Sequence, residues 1–275
     1  MPDFDQGKAY VPQEEVFFDD GREVELLHFV YGKADIDQIR GNPSKVLQAI
    51  DDFGRTKKYL MNVGEDKGKI VCNLIAEVKP QTMVVLPSAE SASAWLIMSL
   101  ERNPEFGAVI SSLVDLAGLG DVVKVEIGSS DASIKRLHDA GQLKHIDLMF
   151  LDHYKPAYKT DLKLAEELKL VTPGSVLAAD NVIKPGNPPY LEYVRASVEQ
   201  KRKWLEQPNG DGTNPDERVG HKHINQYARR GESTALNASP GNPNLVYDSK
   251  LNHSFEPTGD PDAIEITRCT GEESG

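Results

Sequence analysis

No apolar run in this 275-residue chain comes near the roughly 20 residues that a bilayer span requires. The longest, such as AWLIM at 94–98, fall far short. The opening stretch MPDFDQGKAYVPQEEVFFDD is acidic and lacks both the basic start and the apolar centre of a secretory leader, so a cytoplasmic location is expected. Cysteine is scarce: Cys72, inside an apolar helical pattern, and Cys269 supply neither a disulfide framework nor a zinc-ligand spacing. Positive charge is also short, 31 Lys and Arg against 43 Asp and Glu, and a net charge of -12 argues against nucleic acid or an anionic membrane as partner. Glycine is absent from 69 to 106. That absence removes the G-x-G-x-x-G turn that a dinucleotide oxidoreductase needs after its first strand.

What is present reads as a soluble α/β protein, with 39% hydrophobic and 27% charged residues. Residues 1–21 have no periodicity and are expected to form an N-terminal arm, leaving 22–275 as one domain. Leu26, Leu27 and Val30, then Val46, Leu47, Ile50 and Phe53, recur at helical spacing on either side of a Gly-Asn-Pro turn at 41–43. A third helix is expected over 67–80, stopped by Pro80. From there short apolar strands alternate with helices: strands at 83–86, 122–128, 146–151 and 175–179, helices at 103–120, 130–142, 160–171 and 188–207. Such alternation predicts a doubly wound, mostly parallel sheet with helices on both faces and an N-terminal helical layer. A long Pro-, Gly- and Asn-rich loop is expected over 207–244, and a final half-exposed strand over 262–269.

In open parallel sheets ligands bind beyond the carboxyl ends of the strands. Two strands here run directly into polar residues: IDLMFL into Asp152-His153-Tyr154-Lys155, and SVLAA into Asp180-Asn181. Asp152 and Asp180 lie 28 residues apart, close to one strand-helix-strand unit, so Asp152, Asp180 and Asn181 can meet at one rim. Two carboxylates and an amide oxygen form a hard donor set that suits Mg2+ better than zinc or copper. An Asp after a strand can also simply cap the next helix or open a turn.

MNVGEDKG (61–68), LERNPEF (100–106), LAGLGDVVKVEIGSS (116–130), IDLMFLDHYK (146–155) and VLAADNVIKPGNPPYLEYVR (176–195) resemble, in order and spacing, the catechol O-methyltransferases, which use S-adenosylmethionine. The resemblance implies a Rossmann-like methyltransferase fold and transfer of a methyl group to a hydroxyl of a small catechol. It makes Asp152, Asp180 and Asn181 the magnesium ligands and Lys155 the base, and it places Asn181 beside the substrate as well. It sets Glu101 on the ribose hydroxyls, Ser130 and Asp131 at the adenine with His153 and Tyr154 flanking it, and Met61 and Val63 over the methionine part. Tyr59 takes the place of an aromatic gatekeeper beside the catechol, and Glu256 that of an acid on its second hydroxyl. A monomer with a small-molecule substrate is expected.

One part departs from the family. Its first strand should lead into an acidic residue and a glycine-rich turn, because glycine lets backbone approach the cofactor closely. This chain has VVLPSAESASAWLIMSLE, with only seven residues, 87–93, between MVVL and AWLIMSLE. A parallel crossover needs about a dozen residues or more. The reading is therefore either that AESASAWLIMSL is the crossover helix and the second strand is lost, or that the helix is lost. Either implies a damaged donor pocket, and with it the alternative of an impaired relative, or a truncated gene model, that keeps fold and metal site but binds the donor poorly.

Overall fold

The apolar period changes near residue 82, and the architecture changes with it in the computed structural model, which describes residues 3–15, 20–86, 96–206 and 236–275. Before that point the chain is helical: α1 Arg22–Tyr31, α2 Ile36–Ile39, α3 Pro43–Thr56 and α4 Gly64–Val78. α3 shows why. The Asn42 side chain accepts from Lys45 N at 3.2 Å, Pro43 fits the first turn, and Val46, Ala49, Ile50 and Phe53 fall on one buried face. That face packs with Leu26 and Val30 of α1 and with Val109, Leu113 and Leu116 of α5 Pro104–Leu116. Tyr10 of the N-terminal stretch joins the same core, lying so close to Gly54 that a side chain there would collide with its ring. α4 ends where Lys79 turns left-handed at φ +50°, one residue before Pro80.

Among the described residues seven strands form one sheet in the order β3-β2-β1-β4-β5-β7-β6. They are β1 Thr82–Leu86, β2 Leu96–Glu101, β3 Val123–Ile127, β4 Leu148–Leu151, β5 Val176–Ala179, β6 Leu245–Phe255 and β7 Pro261–Glu272. The first five are parallel, while β7 runs antiparallel to both β5 and β6. β1 exposes alternate residues to opposite cores. Met83 and Val85 face Val71, Leu74 and Ile75 of α4, whereas Val84 and Leu86 face α6 Ser130–Asp139, α7 Ala157–Glu167 and α8 Pro188–Arg195. Burial on both faces is why these strands read as continuous apolar runs. Strand order reverses between β1 and β4, so the crevice for a ligand lies beyond Leu86 and Leu151, which pair in register.

The structure corrects several expectations. Of the two readings of this stretch, the one that makes AESASAWLIMSL the crossover helix does not hold: Leu96–Glu101 form β2 and pair with β1 and β3, so the second strand is kept. The segment 87–95, which holds the departure from the family, lies outside the described residues, as do 207–235 of the expected loop. Helix 188–207 is two helices, α8 and α9 Val198–Glu206, because the chain turns extended at Ala196. The helix expected over 160–171 begins at Ala157 and ends at Glu167. β6 was not expected at all. Cys72 lies on α4 but is exposed, and it is Cys269 that is buried.

Candidate active site

β4 and β5 deliver the two acids side by side. Leu151 pairs with Ala179, and the next residues continue the ladder, with Asp152 N donating to Leu86 O and Asp180 N to Leu151 O, each at 2.9 Å. Asn181 follows in the left-handed region at φ +56°, a conformation Asn tolerates better than most side chains. Its side chain thereby points both ways: Oδ1 accepts from Lys155 Nζ at 2.7 Å, and Nδ2 donates to Glu256 Oε1 at 2.6 Å and Asp262 Oδ2 at 3.2 Å. Lys155 Nζ also donates to Asp152 Oδ1 at 3.1 Å and to Tyr158 Oη at 2.6 Å. Asn187 Nδ2 holds the Lys155 carbonyl at 2.8 Å, which fixes the backbone of the loop.

Behind this group stands Lys67, fully buried one turn into α4. Its Nζ lies 2.7 Å from Asp180 Oδ1, 2.6 Å from Glu256 Oε1 and 2.7 Å from Asp262 Oδ2. Burial alone would lower its pKa, but those three acids hold it above the ordinary value. Four carboxylates, those of Asp152, Asp180, Glu256 and Asp262, thus meet two ammonium groups, those of Lys67 and Lys155. The imbalance is felt by the acids. Burial, reinforced by Asp152 against the pull of Lys67, raises Asp180 to about 6. Burial likewise raises Glu256 to about 8 despite Lys67, with Asp262 and Asp180 adding to the rise. Asp262, bonded to Glu256 and Lys67, is held below its ordinary value against the effect of burial.

The remaining expected residues stand on the stretch ahead of α4, at the end of β2, at the start of α6 and in the loop after β4. Tyr59 is buried, and its phenol pKa is raised by burial and then by the Glu256 charge. Its carbonyl accepts from Arg22 Nη1 at 2.5 Å. Met61 is 51% exposed and Val63 buried, just ahead of Gly64, whose φ of +71° and 2.6 Å separation between an added Cβ and Pro257 Cγ leave room only for glycine. Glu101 ends β2, buried, with Oε1 accepting from Asn103 N at 2.7 Å. Tyr154 is buried, which raises its phenol pKa against the opposing charge of Arg102. Ser130 and Asp131 open α6. Ser130 Oγ donates to Asp161 Oδ2, and His153 Nε2 bonds the same oxygen at 2.8 Å.

Sequence reasoning missed Lys67, Tyr158, Asp161 and Asp262. Lys67 stood inside the quoted MNVGEDKG, and Asp262 at the head of the final strand, but neither lies directly after a parallel strand. Among the described residues no group of three or more His, Cys, Asp or Glu side chains is placed to hold a metal ion. The donor set does fit a hard cation: Asp152 Oδ1 and Asn181 Oδ1 are within 3.1 Å of one ammonium nitrogen, Asp180 adjoins them, and the acids outnumber the bases. No helix among the described residues is long and apolar enough to cross a membrane.

Sheet order and rim define a Rossmann-like methyltransferase fold. The cofactor-bound structure of Rv0187 from MTB matches it at a TM-score of 0.50, 15% identical, over 94% of this chain and 100% of that one. The O-methyltransferase family profile matches residues 92–221. The catechol O-methyltransferase of Sus scrofa is 36% identical over 155 residues, 50% of this chain and 80% of that protein. The Mus musculus catechol O-methyltransferase is 38% identical over 57% of this chain, and the Homo sapiens transmembrane O-methyltransferase 32% identical over 57%. The chain belongs to the catechol O-methyltransferase family. Its matched part spans 62% of the Bos taurus relative and 63% of the Mus musculus one.

Proposed function

We propose that the protein is a cytoplasmic enzyme that transfers the methyl group of S-adenosylmethionine to one hydroxyl of a small catechol. The observation that carries this reading is the Lys155 ammonium held between Asp152, Asn181 and Tyr158 beyond β4. Asp152, Asp180 and Asn181 would hold Mg2+, whose charge favours the ionised form of two adjacent phenolic oxygens. Lys155, in its neutral amine form after release of one proton to solvent, receives the proton of the attacking hydroxyl. That oxygen takes the methyl carbon as its bond to sulfur breaks, and the bonding electrons stay on sulfur. Glu256, with its pKa near 8, serves as the hydrogen-bond partner of the second hydroxyl. Tyr59 borders the ring. Glu101, Met61, Val63, Ser130, Asp131, His153 and Tyr154 serve the donor.

A second reading is an impaired relative that binds the donor poorly. It is favoured by the nine residues, 87–95, that join parallel β1 to β2 without a glycine. One experiment separates the two. The full chain is incubated with S-adenosylmethionine, catechol and MgCl2, with and without EDTA, while binding of S-adenosylhomocysteine is followed by calorimetry. Methylated catechol that disappears with EDTA supports the first reading. Neither product nor heat of binding supports the second. Product that EDTA leaves unchanged overturns the metal assignment.

A further inference from the structure

Three side chains from distant parts of the chain converge on one buried carboxylate that the proposed reaction does not use. Asp161 of α7 is only 1% exposed. Its Oδ2 accepts from Ser130 Oγ at the start of α6 and bonds His153 Nε2 at 2.8 Å, and its Oδ1 accepts from Asn237 Nδ2 at 3.1 Å. The Ser130 and Asn237 groups can only donate to an ionised carboxylate. In the neutral form of the imidazole, the proton that this carboxylate accepts sits on Nε2 and leaves a lone pair on Nδ1.

That Nδ1 is buried and has no hydrogen-bond partner among the described residues. A buried acceptor left unpaired is costly, and a ligand donor is one way to satisfy it. The ring cannot turn aside easily, since it stacks on Tyr158 at 4.9 Å between centroids and 16° between planes. Asn237 arrives from the stretch after α9, and that stretch is fastened along α7. Ser239 Oγ donates to Lys163 O at 3.0 Å and Asn242 N to Glu166 Oε2 at 2.9 Å.

We propose that Asp161 is a positioning residue for the nucleoside end of the donor site. It selects the His153 tautomer that accepts a hydrogen bond from the adenosine moiety, and Asn237 completes its coordination. The inference rests on the reading of the site as one for S-adenosylmethionine. Asp161→Asn puts an amide nitrogen at one of the two acceptor positions: at Oδ1 the Asn237 contact is lost, at Oδ2 those of Ser130 and His153 are lost, and in either case the imidazole no longer faces a carboxylate.

The test is calorimetric titration of the full chain and its variants with S-adenosylhomocysteine, together with steady-state kinetics in donor and in catechol. Asp161→Asn should weaken S-adenosylhomocysteine by about tenfold or more, as loss of a charge-assisted hydrogen bond implies, and raise the donor KM alike while leaving the catechol KM in place. Asn237→Ala, which removes one neutral partner, should weaken it about threefold. Should Asp161→Asn not fold, Asn237→Ala and Ser130→Ala carry the test. Equal affinity of all folded variants, or equal rises in both KM values, overturns the assignment of Asp161. A parent that does not bind S-adenosylhomocysteine overturns the donor reading itself.

Discussion

Two buried corners of this molecule handle negative charge in opposite ways. Around Lys67 and Lys155, four carboxylates share two cations, and burial leaves Asp180 at about 6 and Glu256 at about 8. Around Asp161, a single carboxylate takes hydrogen bonds from Ser130, His153 and Asn237. The corners meet at Tyr158, which stacks on His153 and bonds Lys155. Excess charge of one sign calls for a further cation, whereas a saturated carboxylate serves to orient its neighbours. On the proposed reading, the reaction at the ionised oxygen is assigned to the first corner and recognition of the nucleoside to the second.

The sharpest contrast is in rate. Lys155→Met should reduce methyl transfer by roughly 10²- to 10⁴-fold, the range for loss of a general base, with S-adenosylhomocysteine affinity unchanged by calorimetry. An equal fall in donor affinity would show that the corners are not separate. Stability comes next. Lys67→Met strands three acids in the interior and should cost about 3–5 kcal/mol, read as a large drop in chemical-denaturation midpoint. Adding Asp262→Asn should recover part of that loss, because it removes one stranded charge, and failure to recover would argue against charge as the cause. Asp161→Asn, by comparison, should cost about 1–3 kcal/mol, the penalty for unpaired buried hydrogen-bonding groups.

Smaller again is a control outside both corners. Hydrogen bonds from Lys8 and Lys69 lower Glu65 from its ordinary 4.5 to about 2. A folded value below the unfolded one means that this contribution is full above pH 4.5 and fades as pH falls toward 2. The pair is over a third exposed, so solvent screening leaves its contribution small. Hydrogen exchange over 6–10 should quicken below about pH 4 while both buried corners stay protected. Loss of protection everywhere at once would mean that the N-terminal stretch is not a separate unit.

The charged corner was largely legible in the sequence, because Asp152, Asp180, Asn181 and Lys155 directly follow strands whose apolar runs are unmistakable. Glu256 was reached only through the family resemblance. Lys67 was not legible. It sits among Glu65, Asp66 and Lys69, where a lysine reads as a solvated helix face, and only acids far along the chain bury it. LIMSLE is a short apolar run that suits helix or strand alike, and its pairing with β1 and β3 decided the matter. β6 stayed hidden because an edge strand need not alternate: LVYDSKLNHSF is part-buried along most of its length. Asp161 was invisible for a third reason. On a helix, an acid between lysines reads as surface, and only the packing of α6 and the return of the chain at Asn237 enclose it.

Lys67 and Asp262 are 195 residues apart in the chain yet bonded at 2.7 Å. A polypeptide emerging from the ribosome N-terminus first therefore builds α4 and the five parallel strands long before the acids of the last hairpin exist. Until then Lys67 lacks two of its three counter-ions, and the interior that buries it cannot close around it at low cost. Contacts of such sequence separation are slow to form, so the corner around Lys67 should be among the last parts of the nascent protein to become native.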